Sequence, residues 1–409
     1  MSNLVPTSLA YALFHAAAAS VAVFNGQSLA DNILSKVDPL ARPAVQDLLY
    51  NSLRRYGWGD FILARLMERP LDMLEIRSLL LVALARLEAR PEASHTTVDQ
   101  AVLAAGELIE GRLRGLVNGV LRNYLRRREE LALAVAANEV ALHQHPAWWL
   151  EALRSAWPED WTQIAAAGNL PPPMALRANQ RRISPEDYLS RLTFAEIGAR
   201  LDENGAILLD KPVPVERLPG FPEGLVSVQD PGAQRAAVLL DPAPGSRVLD
   251  ACAAPGGKAA HLLERSDIDL VALDLKPARC RRIEENLSRL GLTATIKVAD
   301  CIKKDTWWDG QLFDAILADV PCTASGVVRR NPDAKSLRRF DDIASFAATQ
   351  SRMLDALWLC LRPGGKFLYA TCSVFAAENT EQITRFLARQ HTARRCSEEQ
   401  ILPTAEHDG

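Results

Sequence analysis

Two cysteines, Cys322 and Cys372, occupy similar positions in the C-terminal half of the chain. Each follows an apolar stretch typical of a buried strand, and each precedes a hydroxyl residue, Thr323 or Ser373. Because the carboxyl ends of parallel strands meet at one edge of a sheet, we expect both thiols at that edge. A single cysteine there is more often a small buried residue. The pair with its hydroxyl neighbours favours nucleophilic catalysis by a thiolate.

A loop of small residues joins another apolar strand to a helix. It reads Cys252-Ala253-Ala254-Pro255-Gly256-Gly257-Lys258. Small side chains and glycines at such a turn let the backbone approach a ligand closely. The loop lacks the first Gly and the final Ser or Thr of a phosphate-binding P-loop, and the GxGxxG of dinucleotide sites is absent. The interpretation that remains is a loop for S-adenosylmethionine.

Acidic residues follow the neighbouring strands where this interpretation predicts them. Asp274 ends the next strand and is placed to bind the two ribose hydroxyls, and Asp300 follows the third strand, near the adenine. Lys258 can neutralise the donor's carboxylate or contact the target. Taken singly, the acids fit helix caps and the lysine fits a surface position. Their register with the loop favours a cofactor site.

These groups together suit methylation of carbon 5 of cytosine. That carbon is a weak nucleophile, and a thiolate that adds to carbon 6 makes carbon 5 electron-rich enough to take a methyl group from a sulfonium. Loss of the carbon-5 proton then expels the thiolate. An acid such as Asp319 can stabilise the charge at N3 and the exocyclic amine. The chemistry alone does not order Cys322 and Cys372, and the base must leave its stack to react.

The pattern around these residues indicates the elements that position them. From about residue 236, strands alternate with helices, which predicts an open, largely parallel α/β sheet. The predicted strands are Arg247–Ala251, Leu270–Asp274, Thr293–Val298, Asp314–Ala318 and Lys366–Thr371, and the predicted helices are Pro277–Leu290 and Ser345–Leu361.

The N-terminal part, residues 1–145, is rich in Ala, Leu and Arg, and its apolar residues recur at helical spacing. It predicts an all-α bundle, with one helix beginning near Thr97 and another over Leu113–Leu125. Residues 146–235 contain four tryptophans, a run of three prolines and short apolar stretches. They predict a small α/β linking module with strands at 174–178, 206–209 and 225–228. The third domain is then 236–409.

Composition limits the classes of partner. The formal net charge is −3, so any nucleic-acid binding depends on local basic patches rather than on bulk charge. The chain has no run of eighteen uncharged apolar residues and no signal-peptide pattern. The candidate patches contain Arg112, Arg114, Arg122, Arg126, Arg127, Arg128, Arg181, Arg182, Arg329, Arg330, Arg338 and Arg339.

The seven cysteines all lie in the C-terminal half and form no CxxC pair. Their pattern argues against a disulfide framework and against a zinc site. We therefore expect free thiols, a cytoplasmic location, no metal and no membrane partner.

Three motifs together resemble a known family. They are DACAAPGGK, ADVPCTASGVVRRNPD and YATCS, and they are similar to motifs of the bacterial small-subunit ribosomal RNA cytosine-C5 methyltransferases of the RsmB type. Residues 95–102 and 116–123 resemble the NusB-like helical RNA-binding domain of that family, and 174–179 and 227–230 resemble its linking module. The resemblance covers nearly the whole chain.

The resemblance implies a fold and a set of roles. The fold is a NusB-like bundle, a linking module and a Rossmann-like methyltransferase domain that uses S-adenosylmethionine, acting on ribosomal RNA as a monomer. The loop Cys252–Lys258 with Asp274 and Asp300 holds the cofactor, and Asp319 borders both cofactor and target. The nucleophile is Cys372, while Cys322 assists release of the finished base.

Two features depart from the family's pattern. Ser336 stands where the family has a bulky aromatic residue, and the chain ends at Gly409, where similar proteins continue into a terminal strand. We therefore expect the last strand of the sheet to be missing.

Three alternatives stay open: a NusB-like RNA-binding factor without activity, a C5-methyltransferase that acts on another RNA, and a DNA methyltransferase that uses Cys322. The intact set of loop, acids and both cysteines favours the enzyme. A protein methyltransferase has no use for the cysteine pair.

Overall fold

The computed structural model describes residues 4–108 and 111–409. Contacts divide the chain into two units. One unit runs to Pro171 and also contains Val328–Phe340, and the other consists of Pro172–Val327 and Asp341–Gly409. None of the described helices has the length and apolar character needed to cross a membrane.

The first unit is helical, as its sequence predicts. Its α4 is buried on nearly every side, and it packs with α1, α2 and α5 around one apolar core. Its helices are α1 Leu9–Phe24, α2 Arg42–Arg54, α3 Trp58–Leu66, α4 Leu74–Ala89, α5 Ser94–Gly106, α6 Arg114–Arg126, α7 Arg128–Ala136, α8 Glu139–His143, α9 Ala147–Ala156 and α10 Trp161–Ala167.

The segment Val328–Phe340 belongs to this helical unit, although the sequence placed it in the third domain. The reason is that its buried polar side chains find partners there. Asp333 accepts a hydrogen bond from the hydroxyl of Ser28 at 2.9 Å, and the ammonium of Lys335 donates to the carbonyl of Arg54 at 2.8 Å. The short helix α15, Ala334–Leu337, lies in this segment.

A four-stranded antiparallel sheet begins the second unit. Its strands are β1 Ala175–Ala178, β2 Ala199–Leu201, β3 Ile207–Leu209 and β4 Val226–Val228, in the order β2-β3-β1-β4, with α11 at Pro185–Phe194. The predicted small α/β module is present, and by their contacts α9 and α10, which precede this sheet, group with the helical unit. The edge strand β2 was not predicted, because its three residues lack an apolar run.

A five-stranded parallel sheet forms the rest of this unit, as predicted. Its strands are β5 Arg247–Asp250, β6 Asp269–Asp274, β7 Thr295–Val298, β8 Phe313–Asp319 and β9 Leu361–Ala370, in the order β7-β6-β5-β8-β9. Its helices are α12 Pro231–Leu240, α13 Gly257–Arg265, α14 Pro277–Leu290, α16 Asp341–Trp358 and α17 Thr380–Arg389.

Both faces of this sheet are covered, which explains the continuous apolar strands. Val248 packs into the core beneath α12, α13 and α14, while Leu249 packs into the opposite core with α16. Successive strand residues point to opposite faces, so the central strands are apolar on both faces along their buried middle parts. The predicted bounds of α14 match, but α16 begins four residues earlier than predicted. Asp341 and Asp342 lie in its first turn, where negative charge is favourable.

Candidate active site

The candidate catalytic and cofactor-binding residues lie at the carboxyl ends of the parallel strands, along one edge of the sheet. β5 ends at Asp250, β6 ends at Asp274 and β8 ends at Asp319, and all three strands run in the same direction. Cys322 follows β8, and Cys372 follows β9. Parallel pairing therefore gathers on one rim residues that lie far apart in the sequence.

The loop from β5 to α13 approaches α14 closely at Gly256. Its φ is +101°, and a Cβ there would lie 3.2 Å from the Cα of Ile283. Only glycine takes this conformation and this approach without strain. Two side chains of α14 hold the carbonyls of the loop, since Arg279 donates to that of Ala254 at 2.9 Å and Asn286 donates to that of Pro255 at 2.8 Å.

Asp274 is buried and held in place. Its carboxylate accepts hydrogen bonds from the backbone N–H groups of Ala254 at 3.3 Å and Lys276 at 3.2 Å, and it lies 3.4 Å from the guanidinium of Arg279. The predicted ribose acid is thus joined directly to the loop. Asp300 follows β7, as predicted, and accepts a hydrogen bond from the N–H of Ile302 at 3.0 Å.

Lys258, the second residue of α13, forms an ion pair with Asp319 at 2.7 Å. Burial lowers the pKa of Lys258, but the charge and the hydrogen bond of Asp319 outweigh it, so the pKa is raised above its usual value. A thiolate at Cys372 raises this pKa further. Lys258 is therefore a cation held between the end of β8 and the nearby sulfur.

The two predicted thiols lie together, with 3.3 Å between the sulfurs of Cys322 and Cys372. Cys322 is buried and Cys372 is half-buried. The hydrogen bond to Cys372, burial and the negative charge of Glu378 raise the pKa of Cys322 well above its usual range. A thiolate is therefore disfavoured at Cys322, and either sulfur of the pair can be the hydrogen-bond donor.

A set of polar groups, here called the Glu378 network, lies behind the thiols. Glu378 is fully buried, and the sequence analysis did not identify it. Its carboxylate accepts hydrogen bonds from the backbone and hydroxyl of Thr323, the hydroxyl of Ser373 and the amide of Gln350. The hydroxyl residues beside both cysteines were the signal that a buried acceptor lies between the loops.

Asp250 is a second functional candidate that the sequence analysis missed. It is fully buried, and neither carboxyl oxygen has a well-formed hydrogen bond among the described residues. Burial and the negative charge of Asp319 raise the pKa of Asp250 to about 7. A buried carboxyl beside the cofactor loop can pair with a cation on a ligand.

Three other residues named in the sequence analysis, Cys252, Arg181 and Arg182, have structural partners. The thiol of Cys252 hydrogen-bonds with Cys301, and this bond and burial raise its pKa well above the usual range, so it is a poor nucleophile. Arg181 pairs with Asp267 at 2.6 Å, and Arg182 donates to the carbonyl of Leu290 at 2.8 Å. These two arginines hold the four-stranded module against the parallel-sheet domain.

Arg177 strengthens the same contact from β1. Its guanidinium forms a buried ion pair with Glu264 of α13 at 2.7 Å and donates to the carbonyl of Gly257 at 2.9 Å. The strand of one module is therefore anchored to the start of the helix that follows the cofactor loop. Removing one partner of such a pair leaves a buried charge, which costs about 3–5 kcal/mol of stability.

Family models match three regions of the chain. Residues 237–406 match a model described as 16S rRNA methyltransferase RsmB/F, 145–216 match the ferredoxin-like domain of RsmF/B-like methyltransferases, and 10–126 match the NusB family. The predicted fold classes, including the NusB-like bundle and the Rossmann-like methyltransferase domain, are confirmed by these matches.

Whole-chain similarity agrees with the models. A Pseudomonas putida protein named ribosomal RNA small subunit methyltransferase B is 43% identical over 93% of this chain and 89% of its own. The crystal structure of a methyltransferase homologue from Pyrococcus horikoshii is 31% identical, with a TM-score of 0.54 over 61% of this chain and 80% of that one. The crystal structure of PH0851 shares the fold, at 20% identity and a TM-score of 0.76 over 95% of this chain and 90% of that one.

Proposed function

This chain belongs to the 16S rRNA methyltransferase RsmB/F family and depends on S-adenosylmethionine, and from this premise we propose that it methylates carbon 5 of a cytosine in small-subunit ribosomal RNA. The observation that carries the proposal is the contact between two thiols, 3.3 Å apart, beside the ion pair of Lys258 and Asp319. A methyltransferase that attacks with a nitrogen or oxygen of its target needs no such pair.

The residues at the rim fit S-adenosylmethionine. Gly256 lets the cofactor loop pack closely against α14, and Asp274 offers carboxylate oxygens to the ribose hydroxyls. Leu275 and Val298 are apolar and 65% and 52% exposed, which suits contact with the faces of an adenine beside Asp300. The unpaired carboxyl of Asp250 suits the donor's ammonium group. When bound, S-adenosylmethionine supplies an electrophilic methyl group.

The charges around the thiols support Cys372 as the nucleophile. The cation of Lys258 interacts with a thiolate at Cys372, while the anion of Glu378 disfavours a thiolate at Cys322. These two charges favour attack by Cys372 rather than by Cys322. This agrees with the order that the family resemblance implies, which the chemistry of cytosine by itself left open.

The chemical steps then follow from these positions. The Cys372 thiolate adds to carbon 6, and a carbon–sulfur bond forms while the displaced ring electrons are taken up at N3, which receives a proton from the Lys258–Asp319 pair. Asp319 then accepts a hydrogen bond from the N3–H group. Carbon 5 takes the methyl group and gives its proton to water, the carbon–sulfur bond breaks, and N3 returns its proton to the Lys258–Asp319 pair, so Cys372 is restored as a thiolate. Cys322, in contact with Cys372, assists this release.

The helical domain, residues 1–145 in the proposed division, contributes RNA binding. Arg114, Arg122 and Arg126 are exposed on α6, and their spacing of eight and four residues puts them on one face of the helix. Arginines on one face suit contacts with successive phosphates. The linking module, 146–235, then guides the RNA to the catalytic domain, 236–409, in a monomeric enzyme that needs no metal.

The test uses unmethylated small-subunit ribosomal RNA and S-adenosylmethionine labelled in the methyl group. Wild type should transfer the label to carbon 5 of cytosine. Cys372→Ala should lose transfer by a factor of about 10³ or more, because no adduct forms. Cys322→Ala should accumulate an RNA–protein adduct that survives denaturing electrophoresis. Cys396→Ser, which changes an exposed cysteine in the C-terminal segment, is the matched control and should behave as wild type.

Each contrary result points to a specific alternative. An adduct in Cys372→Ala and inactivity in Cys322→Ala would reverse the two roles. Transfer to DNA rather than RNA would favour the DNA enzyme. RNA binding by wild type without transfer to any RNA would leave a binding factor and remove the enzymatic proposal.

A further inference from the structure

Glu378 lies at the centre of the two cysteine loops, although it is distant from Cys322 in sequence. It ends a short turn, Ala376–Glu378, that leads from the Cys372 loop toward α17. Its side chain reaches back to the Cys322 loop, where the N–H of Thr323 donates to it at 3.0 Å and the hydroxyl at 2.6 Å. One carboxylate therefore joins residues adjacent to each thiol.

The same carboxylate binds the Cys372 loop and the helix beneath. The hydroxyl of Ser373 donates to Oε2 at 2.6 Å, and the amide of Gln350 in α16 donates to Oε1 at 3.1 Å. The carboxylate of Glu378 is the acceptor in all four hydrogen bonds, and an ionised carboxylate, which only accepts, satisfies this pattern. The amide of Gln350 also donates to the carbonyl of Pro321 at 3.0 Å, which fixes the residue before Cys322.

We propose, on the premise of the function proposed above, that Glu378 is a positioning residue for the reaction. Its buried carboxylate ties the Cys322 loop to the Cys372 loop, keeps the sulfurs in contact and holds the shared proton on Cys322. Cys372 is thereby ready as the nucleophile before RNA binds. Glu378 touches neither cofactor nor base in this role and acts through the two thiols.

The charged and titratable groups around the thiols agree with this role. Lys258 and Asp319 are the ion pair on the side of Cys372, and Glu378 is the anion on the side of Cys322. Tyr369 of β9 donates its hydroxyl to the carbonyl of Glu378 at 2.6 Å. Burial and the charge of Glu378 raise the pKa of Tyr369, so it stays neutral near pH 7. Glu378 is therefore the anion that acts on Cys322 from this side.

The first test is Glu378→Gln, which keeps the size of the side chain and removes its charge. We expect kcat to fall about 10²-fold, because a small displacement of reacting groups has effects of that size, while the KM for RNA and the Kd for the donor change less than about twofold. Gln382→Leu is the matched control. Gln382 is a buried residue of α17 that donates to the carbonyl of Ala347 at 2.6 Å, away from both cysteine loops, and the variant should keep wild-type kcat.

The second test measures the thiols without RNA. Iodoacetamide labelling of each cysteine, mapped by mass spectrometry across a pH series from about 6 to about 10, should modify Cys372 at lower pH than Cys322 in wild type. In Glu378→Gln, Cys322 should be labelled at a lower pH than in wild type, so the difference between the labelling pH values of the two cysteines should become smaller. Ser373→Ala removes the hydroxyl that donates to Glu378 and also contacts the hydroxyls of Thr323 and Ser325, but it leaves the charge of Glu378 in place. It should narrow the difference in labelling pH less, and this variant carries the test if Glu378→Gln does not fold.

Several outcomes would overturn the proposal. One is wild-type kcat and an unchanged labelling order in Glu378→Gln. Another is equal loss of kcat in Glu378→Gln and Gln382→Leu in proportion to lost thermal stability, which is what a merely structural residue gives. A failure of the wild type to methylate RNA would refute the proposed function. The labelling experiment needs no RNA, so it tests the role of Glu378 separately from that result.

Discussion

The two halves of the catalytic rim satisfy their polar groups in different ways. The cofactor half consists of Asp250, the loop after β5, Asp274, Leu275 and Asp300. The thiol half consists of Asp319 and the loops that carry Cys322 and Cys372. In the cofactor half, Asp250 has a raised pKa, and its carboxyl oxygens have no well-formed hydrogen bond within the described part of the chain, while Leu275 is largely exposed. In the thiol half, the buried Glu378 has four hydrogen bonds.

This difference in hydrogen bonding indicates a different role for each half of the rim. Unpaired and exposed groups in the cofactor half are partners for a ligand that must enter and leave at every turnover. The hydrogen-bonded thiol half holds its reacting groups in place before the substrate arrives, so little reorganisation is needed during the reaction. Changes in the thiol half should therefore lower kcat, and changes in the cofactor half should weaken donor binding.

The largest effect should come from Asp319→Asn in the thiol half. The variant loses the carboxylate that pairs with Lys258 and mediates proton transfer to N3 in the proposed mechanism, so kcat should fall about 10²- to 10³-fold, the cost of removing one preorganised electrostatic group. Single-turnover methyl transfer measures this change. Asp305→Asn, at an exposed turn, is the control. If Asp319→Asn changed only the Kd for S-adenosylmethionine and left kcat unchanged, Asp319 would have to be assigned to the cofactor half.

A smaller effect, on binding, should follow Asp274→Asn in the cofactor half. Losing a charged acceptor for the ribose and the loop should raise the Kd for S-adenosylmethionine about 10- to 100-fold, the range for hydrogen bonds to charged groups. Calorimetric titration measures the Kd, and kcat at saturating donor should stay near wild type. Asp269→Asn, at the other end of β6, is the control. A fall in kcat with unchanged Kd would contradict the division of the rim.

The smallest effect concerns stability and pH. Asp250 in the folded protein has a pKa of about 7, against an unfolded value of 3.8. The folded carboxyl keeps its proton after the unfolded chain has lost it, so this group lowers stability as pH rises between these values. Relative to Asp250→Asn, the free energy of unfolding of the wild type should fall by about 1 kcal/mol per pH unit in this window.

Urea unfolding at a series of pH values measures the difference. S-adenosylmethionine should reduce the slope, because its ammonium stabilises the charged carboxylate. If the free energy of unfolding changed equally with pH in wild type and variant, Asp250 would be ionised in the folded protein without a ligand. Asp250 would then resemble Glu378 in the thiol half.

Much of the fold was predictable, because periodicity is a local property. The parallel strands follow from continuous apolar runs, and the bounds of α14 follow from its first proline and the glycine after it. The strand β2 and the segment Val328–Phe340 were not predictable in this way. The first is a short edge strand, and the second belongs to the helical unit through partners such as Ser28, distant in sequence.

The amino-acid sequence alone is enough to predict which residues lie at the rim, because the loop motif and each of the two cysteines follow a predicted strand. Residues 252–258, Asp274, Asp300, Asp319, Cys322 and Cys372 all follow or end strands whose direction is set by the alternation with helices. Only the tertiary structure decided the contacts between them: the pairing of Lys258 with Asp319, the buried Asp250, and the carboxylate of Glu378 between two loops. Hydrogen bonds and pKa shifts depend on distance and burial, and these quantities exist only once distant segments have packed together.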